Sequence, residues 1–168
     1  MAGLVICDAS PIIATIIGMA RVDGLDWLKP LFGQVWIPGQ VESEVLSDRA
    51  RQDQAVIRAA VSTGILNVWP DPIEPVIAAD LDEGESACID LALAHPGSLL
   101  LMDERAGRAV AREHGIVVSG TAAVIGQART RDLIPSARDI FERLLQGDFR
   151  IAPEVIRTVL RQVGETCD

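Results

Sequence analysis

VICDASPIIA, residues 5–14, places a carboxylate at the junction of two apolar runs. LVICD, residues 4–8, reads as a short buried strand, and Ser10–Pro11 suit an N-cap and a first helical position for a helix running to about Met19. Asp8 therefore stands where a strand gives way to a helix. LLLMDERAGR, residues 99–108, repeats the arrangement with Asp103. Two such junctions are the expected signature of a βαβ fold with ligands at the carboxyl ends of its strands.

The rest of the chain supports that reading. QVWIP (34–38), ILNVW (65–69), SLLLM (98–102) and IVVSG (116–120) read as further short strands. Helical patterns separate them: GLDWLKPLFG, GQVESEVLSD with Pro38 at its start, residues 49–63 closed by Gly64, GESACIDLALAH (84–95), and ERAGRAVAREHG. From about residue 121 the pattern is helical, with segments at about 121–130, 136–146 capped by Ser136, and 153–163 begun by Pro153. Short strands that are apolar throughout, alternating with helices, predict an α/β fold with a parallel sheet covered on both faces. At 168 residues, the expectation is one domain over 1–168.

Composition narrows the function. Hydrophobic residues make up 49% of the chain, which argues against disorder. No apolar stretch approaches the length of a membrane span and Asp8 breaks the N-terminal one, so the expected location is the cytoplasm. A net charge of −9 argues against binding duplex nucleic acid by general electrostatics. It leaves room for acids that hold metal ions, which in turn hold phosphate. Cys7, Cys88 and Cys167 fit no zinc spacing and read as buried thiols. His95 and His114 stand at helix ends, an ordinary place for a polar or cationic residue.

Four acids remain as candidates. Asp8 and Asp103 end strands, Glu85 lies in the first turn of a helix, and a further acid lies in QVESEVL, where periodicity does not separate Glu42 from Glu44. Each alone could serve as a cap or a solvated residue; the pairing of two strand-end aspartates is what points to a site. Carboxylates gathered together repel one another and call for a cation, and hard divalent ions such as Mg²⁺ or Mn²⁺ suit oxygen donors. Asp90, five residues after Glu85, turns about 140° away on an ideal helix and reads as peripheral. Arg105, Arg108 and Arg112 form one helical stripe beside Asp103, suited either to phosphate or to surface ion pairs. Ser119 and Thr121 stand at another strand end, where a hydroxyl can cap a helix or hold a metal-bound water.

VICDASPIIA, LFGQVWIPGQVESEV, LDEGESACIDLALA, LLLMDERAGRAVA, GIVVSGTAAVIGQARTRDLIPS and RIAPEVIRTVLRQVGE together resemble, in order, the PIN-domain superfamily, and in particular its branch related to the VapC toxins of prokaryotic toxin–antitoxin systems. The resemblance spans nearly the whole chain. It implies a three-layer α/β/α sandwich and a Mg²⁺- or Mn²⁺-dependent ribonuclease site. Carried over by position, it implies Asp8, Glu44, Glu85 and Asp103 as the catalytic acids, with Asp8, Glu85 and Asp103 as metal ligands and Ser10 and Thr121 in support. It also selects Glu44 over Glu42. Glu85 stands where many members have aspartate, and Glu104 where this branch often has a second aspartate. The partners implied are RNA and a small antitoxin, and the apolar stripe of Val155, Ile156, Val159, Leu160 and Val163 offers either a core face or a homodimer surface.

Two other functions fit parts of the sequence. A partner- or nucleic-acid-binding module on the same fold would need no chemistry from the acids. Phosphotransfer through an aspartyl-phosphate would use Asp8, but such sites need a late lysine and Lys29 is the only lysine.

Overall fold

The computed structural model describes residues 3–19, 25–47, 51–74, 76–77 and 80–166. Cys167 lies outside them. In chain order the elements are β1 (Val5–Cys7), α1 (Ala9–Met19), α2 (Leu28–Phe32), β2 (Val35–Ile37), α3 (Gly39–Leu46), α4 (Arg51–Ser62), β3 (Leu66–Val68), α5 (Glu83–Ala94), β4 (Leu99–Leu101), α6 (Arg105–Glu113), β5 (Val117–Ser119), α7 (Thr121–Thr130), α8 (Ala137–Gln146) and α9 (Pro153–Gln162).

Each strand expected from its apolar run is present, trimmed by a residue or so at its ends. All pair in parallel, in the order β3-β2-β1-β4-β5. Successive strand residues point to opposite faces. Ile6 and Cys7 are both buried, as are Leu100 and Leu101, so the sheet is covered on both sides. That is the three-layer α/β architecture. α5 packs on β1 and β4 and against α3 and α6, while α1, α7, α8 and α9 pack on one another.

The strand order reverses between β1 and β4. Chain leaving β1 goes on to build β2 and β3 on one side, and chain leaving β4 builds β5 on the other, so a crevice opens beyond the carboxyl ends of these two neighbours. The ladder carries past the formal strand ends. The Asp8 N–H donates to the Leu101 carbonyl at 2.9 Å, and the Met102 N–H to the Ser119 carbonyl at 2.9 Å. Residue 8 and residues 102–103 are thereby brought to the same end of the sheet.

Several local readings shift. α1 begins at Ala9, so Ser10 lies inside the helix and Asp8 takes the position before it. Pro38 is the N-cap of α3 and not its first residue. α5 begins at Glu83 with Asp82 as N-cap. Ser136 does cap α8, accepting from the Asp139 N–H at 3.2 Å, and Pro153 opens α9. The strands are not apolar and buried throughout: Val117, on edge strand β5, is 65% exposed. The apolar stripe of α9 is used internally, since Ile156, Val159 and Leu160 are buried against the helical layer. No described helix is long and apolar enough to cross a membrane.

Candidate functional site

Three of the four predicted acids, with one that the sequence reading missed, lie within electrostatic reach of one another. Asp8 directly follows β1 and is 4% exposed. Burial is the main force that lifts its carboxyl to about 7; the charges of Glu44, Asp82 and Glu85 add to it, while the Ala9 N–H, donating to the carboxylate, opposes it. Near neutrality the group is poised between its two protonation states.

Glu85 is fixed by a capping box. Its N–H donates to Asp82 Oδ1 at 2.7 Å, and the Asp82 N–H donates to Glu85 Oε2 at 3.3 Å. This arrangement satisfies donors at the start of α5 and holds two carboxylates there. Burial and then the Asp82 charge raise the Glu85 carboxyl, with Glu104 and Glu44 contributing, against the hydrogen bond from Asp82.

Glu44 reaches across from α3 to the same helix start. A Cβ built on Gly84 would lie 2.9 Å from Glu44 Oε2 and 3.4 Å from Asp82 Oδ1. Glycine at 84 is what permits so close an approach. Glu85 also approaches α6, its carboxyl carbon 3.7 Å from where a Cβ would stand on Gly107. Glu104, the N-cap of α6, completes the acidic rim and accepts from the Ala106 N–H at 3.5 Å.

Asp103 shares the crevice but has different partners. Thr121 donates to it twice, through its N–H to Oδ1 at 2.8 Å and its hydroxyl to Oδ2 at 2.6 Å. Asp103 thereby caps α7 across the gap between β4 and β5. Its Oδ1 lies 3.0 Å, and Arg108 Nη1 2.8 Å, from a Cβ built on Gly120, so the two side chains converge over that glycine. Arg108 Nε is buried and has no hydrogen-bond partner among the described residues. Arg105 and Arg112 are exposed. The arginine stripe thus separates into one residue at the site and two on the surface.

Ser10 is half-buried in the first turn of α1. Asp90 is 4% exposed and accepts from the Val76 and Ile77 N–H groups, so it anchors the β3–α5 connection. Cys7 and Cys88 are buried free thiols, and burial first, then the Asp8 charge, pushes both far up and keeps them protonated. His95 and His114 each contact a carbonyl four residues back, Leu91 at 3.0 Å and Val110 at 2.9 Å, as helix-end residues do.

Among the described residues, no three His, Cys, Asp or Glu side chains are already arranged as a ligand set for a metal ion. The donors gathered here are nonetheless all carboxylate oxygens, the type that hard divalent cations take. The arrangement can hold a cation against mutually repelling acids, or hold a proton on Asp8.

No curated protein and no solved structure matches the chain. Residues 4–165 match the PIN domain, a family whose general chemistry is that of a nuclease. With the match covering nearly every residue, and the acids grouped at the β1–β4 switch point of a parallel sheet, the chain belongs to the PIN-domain family.

Proposed function

We propose that the protein is a divalent-metal-dependent endoribonuclease, the toxin of a toxin–antitoxin pair, which hydrolyses RNA phosphodiesters at the crevice beyond β1 and β4. One observation carries this reading: Asp8 is buried, and Glu44, Asp82 and Glu85 are close enough that their charges add to that burial in raising its carboxyl to about 7. A protein gains no stability from such a gathering, so it is expected to serve a ligand of opposite charge.

In this reading Asp8, Glu85 and Asp103 hold Mg²⁺ or Mn²⁺, and Glu44 completes the acidic set. Held there, such an ion would supply Lewis-acid activation of the phosphodiester and of water. The chain's own contributions are separate. Asp82 fixes Glu85 through the capping box, and Thr121 fixes Asp103 through two hydrogen bonds. Arg108, with its buried Nε unpartnered, supplies positive charge next to Asp103 for a phosphate oxygen. Arg105 and Arg112 guide the backbone from the surface.

The partners we propose are RNA, a second copy of the chain, and a small basic antitoxin. With a net charge of −9, a basic tail is the complement, and its arginine would occupy the carboxylates in place of metal. Light scattering at the 18.0 kDa monomer mass would count against the homodimer. Failure to co-purify with the product of a neighbouring small reading frame would count against the antitoxin. Location in the cytoplasm is part of the same reading.

The function is tested with a pool of single-stranded and structured RNAs, incubated with Mg²⁺ or Mn²⁺ and again with excess EDTA. The expected result is cleavage with metal and none with EDTA. Undiminished cleavage in EDTA would overturn the metal reading. Absence of cleavage under all conditions would favour a binding module, a reading that draws on the full engagement of Asp103 by Thr121.

A further inference from the structure

A cavity of about 400 Å³ lies between α3 and α5, beside the acids but not part of them. Gln40 enters it from the first turn of α3, and Glu83 and Ser86 from the first turns of α5. Gln40 precedes Glu44 by four residues, so the two share a helix face about 6 Å apart. Ser86 directly follows Glu85. The cavity therefore opens one helical turn from the carboxylates, on the scale of a single nucleoside.

Its outer wall is built. Ile73 and Ile77, from the described part of the β3–α5 connection, give it an apolar side. Asp90 holds that side in place from α5, with Oδ1 accepting from the Val76 N–H at 3.1 Å and the Ile77 N–H at 2.9 Å. Ile73, Ile77, Leu81 and Ala87 offer aliphatic surface to a flat heterocycle, and Gln40, Glu83 and Ser86 offer polar atoms to its edge.

We propose that this cavity receives an unpaired adenine of the RNA substrate, read by the side-chain amide of Gln40; the proposal rests on the nuclease reading above. A glutamine amide matches adenine bidentately, its oxygen accepting from the exocyclic amine and its nitrogen donating to the adjacent ring nitrogen. The carboxylate of Glu83, which lines the same cavity, also accepts from N–H groups and repels the keto oxygens of uracil. Single-stranded RNA offers bases free to enter, because its bases can be splayed from the stack.

The test uses the uncharged nucleosides adenosine and uridine, which have no phosphate to be repelled by the acids and need no metal. Each is titrated into the ¹⁵N-labelled full chain, and amide shifts are followed. Adenosine is expected to move the Gln40 side-chain amide and the Ser86 and Ala87 main-chain amides, with uridine about tenfold weaker. Gln40→Ala, a change on the exposed side of α3, is expected to bring the two nucleosides to parity while the rest of the spectrum is unchanged. Equal response to both nucleosides in the wild type, no shifts at the cavity, or selectivity retained in Gln40→Ala would each overturn the proposal. Binding does not depend on cleavage, so selective adenosine binding by a chain that cuts no RNA would count against the nuclease reading alone.

Discussion

Thr121 donates both its main-chain N–H and its hydroxyl to the carboxylate of Asp103, at 2.8 and 2.6 Å. One residue thus ties the end of β4 to the start of α7 and fixes the orientation of a proposed ligand. Hydrogen bonds to charged groups are worth more than neutral ones. Thr121→Ala, which keeps the N–H and loses the hydroxyl, is expected to cost about 2 kcal/mol in urea denaturation. Thr121→Ser should restore most of that loss. RNA cleavage should fall in the alanine variant and recover in the serine variant.

Asp8 makes the metal-free protein less stable as pH rises. Its folded carboxyl titrates at about 7 against an ordinary value of 3.8, so between those values the folded state binds more protons than the unfolded. Stability is therefore greatest below pH 4 for this group and falls as pH climbs to 7. Over that window the loss is about 4 kcal/mol at most. Asp8→Asn keeps an acceptor for the Ala9 N–H and removes the charge. It should match the wild type near pH 4 and exceed it in urea denaturation at pH 8. Equal stability of the two proteins at pH 8 would refute this.

Glu165 works in the opposite sense. Burial pushes its carboxyl up, but the N–H groups of Arg138 and Ala137, the Arg129 guanidinium and the Ser136 hydroxyl donate to it and hold it below its ordinary value. The residue thus ties the chain after α9 to the first turn of α8. This stabilisation is present above the ordinary carboxylate pKa and is lost as pH falls through the lowered folded value. Glu165→Ala is expected to cost about 2 kcal/mol at pH 7. Hydrogen exchange at the Ala137 and Arg138 amides should accelerate in the variant, with the site residues unaffected.

Gly84→Ala separates stability from activity. Alanine is the better helix former by about 1 kcal/mol, so α5 should gain slightly. The new Cβ would stand 2.9 Å from Glu44 Oε2 and push that carboxylate away from α5. Cleavage should drop while the denaturation midpoint holds or rises. An unchanged rate would mean that Glu44 does not need its present position.

Much of this is legible in the sequence because the strands lie in short, mainly apolar runs, and Asp8 and Asp103 follow two of those runs. Asp82 escapes the sequence reading although the D-x-x-E spacing of a capping box is written in LDEGES, because that reading begins the helix at Gly84, one residue after its actual start. The arginine stripe could not be resolved by spacing, since 105, 108 and 112 are equivalent on a helix. Only the approach of β5 and Gly120 selects Arg108. Asp90 was correctly turned away from Glu85, but its burial depends on the β3–α5 connection folding over it, which no local pattern records. Glu165 belongs to the same class: its partners lie 27 to 36 residues away.

The central claim is that the buried carboxylate of Asp8 is required for metal-dependent cleavage of RNA and not for folding. Cleavage of a single-stranded RNA by wild type and Asp8→Asn, in Mn²⁺ and with the fold of each verified by circular dichroism, tests it most directly. The account predicts a folded variant whose rate is lower by about 100-fold or more. A folded Asp8→Asn protein that cleaves at the wild-type rate would contradict it.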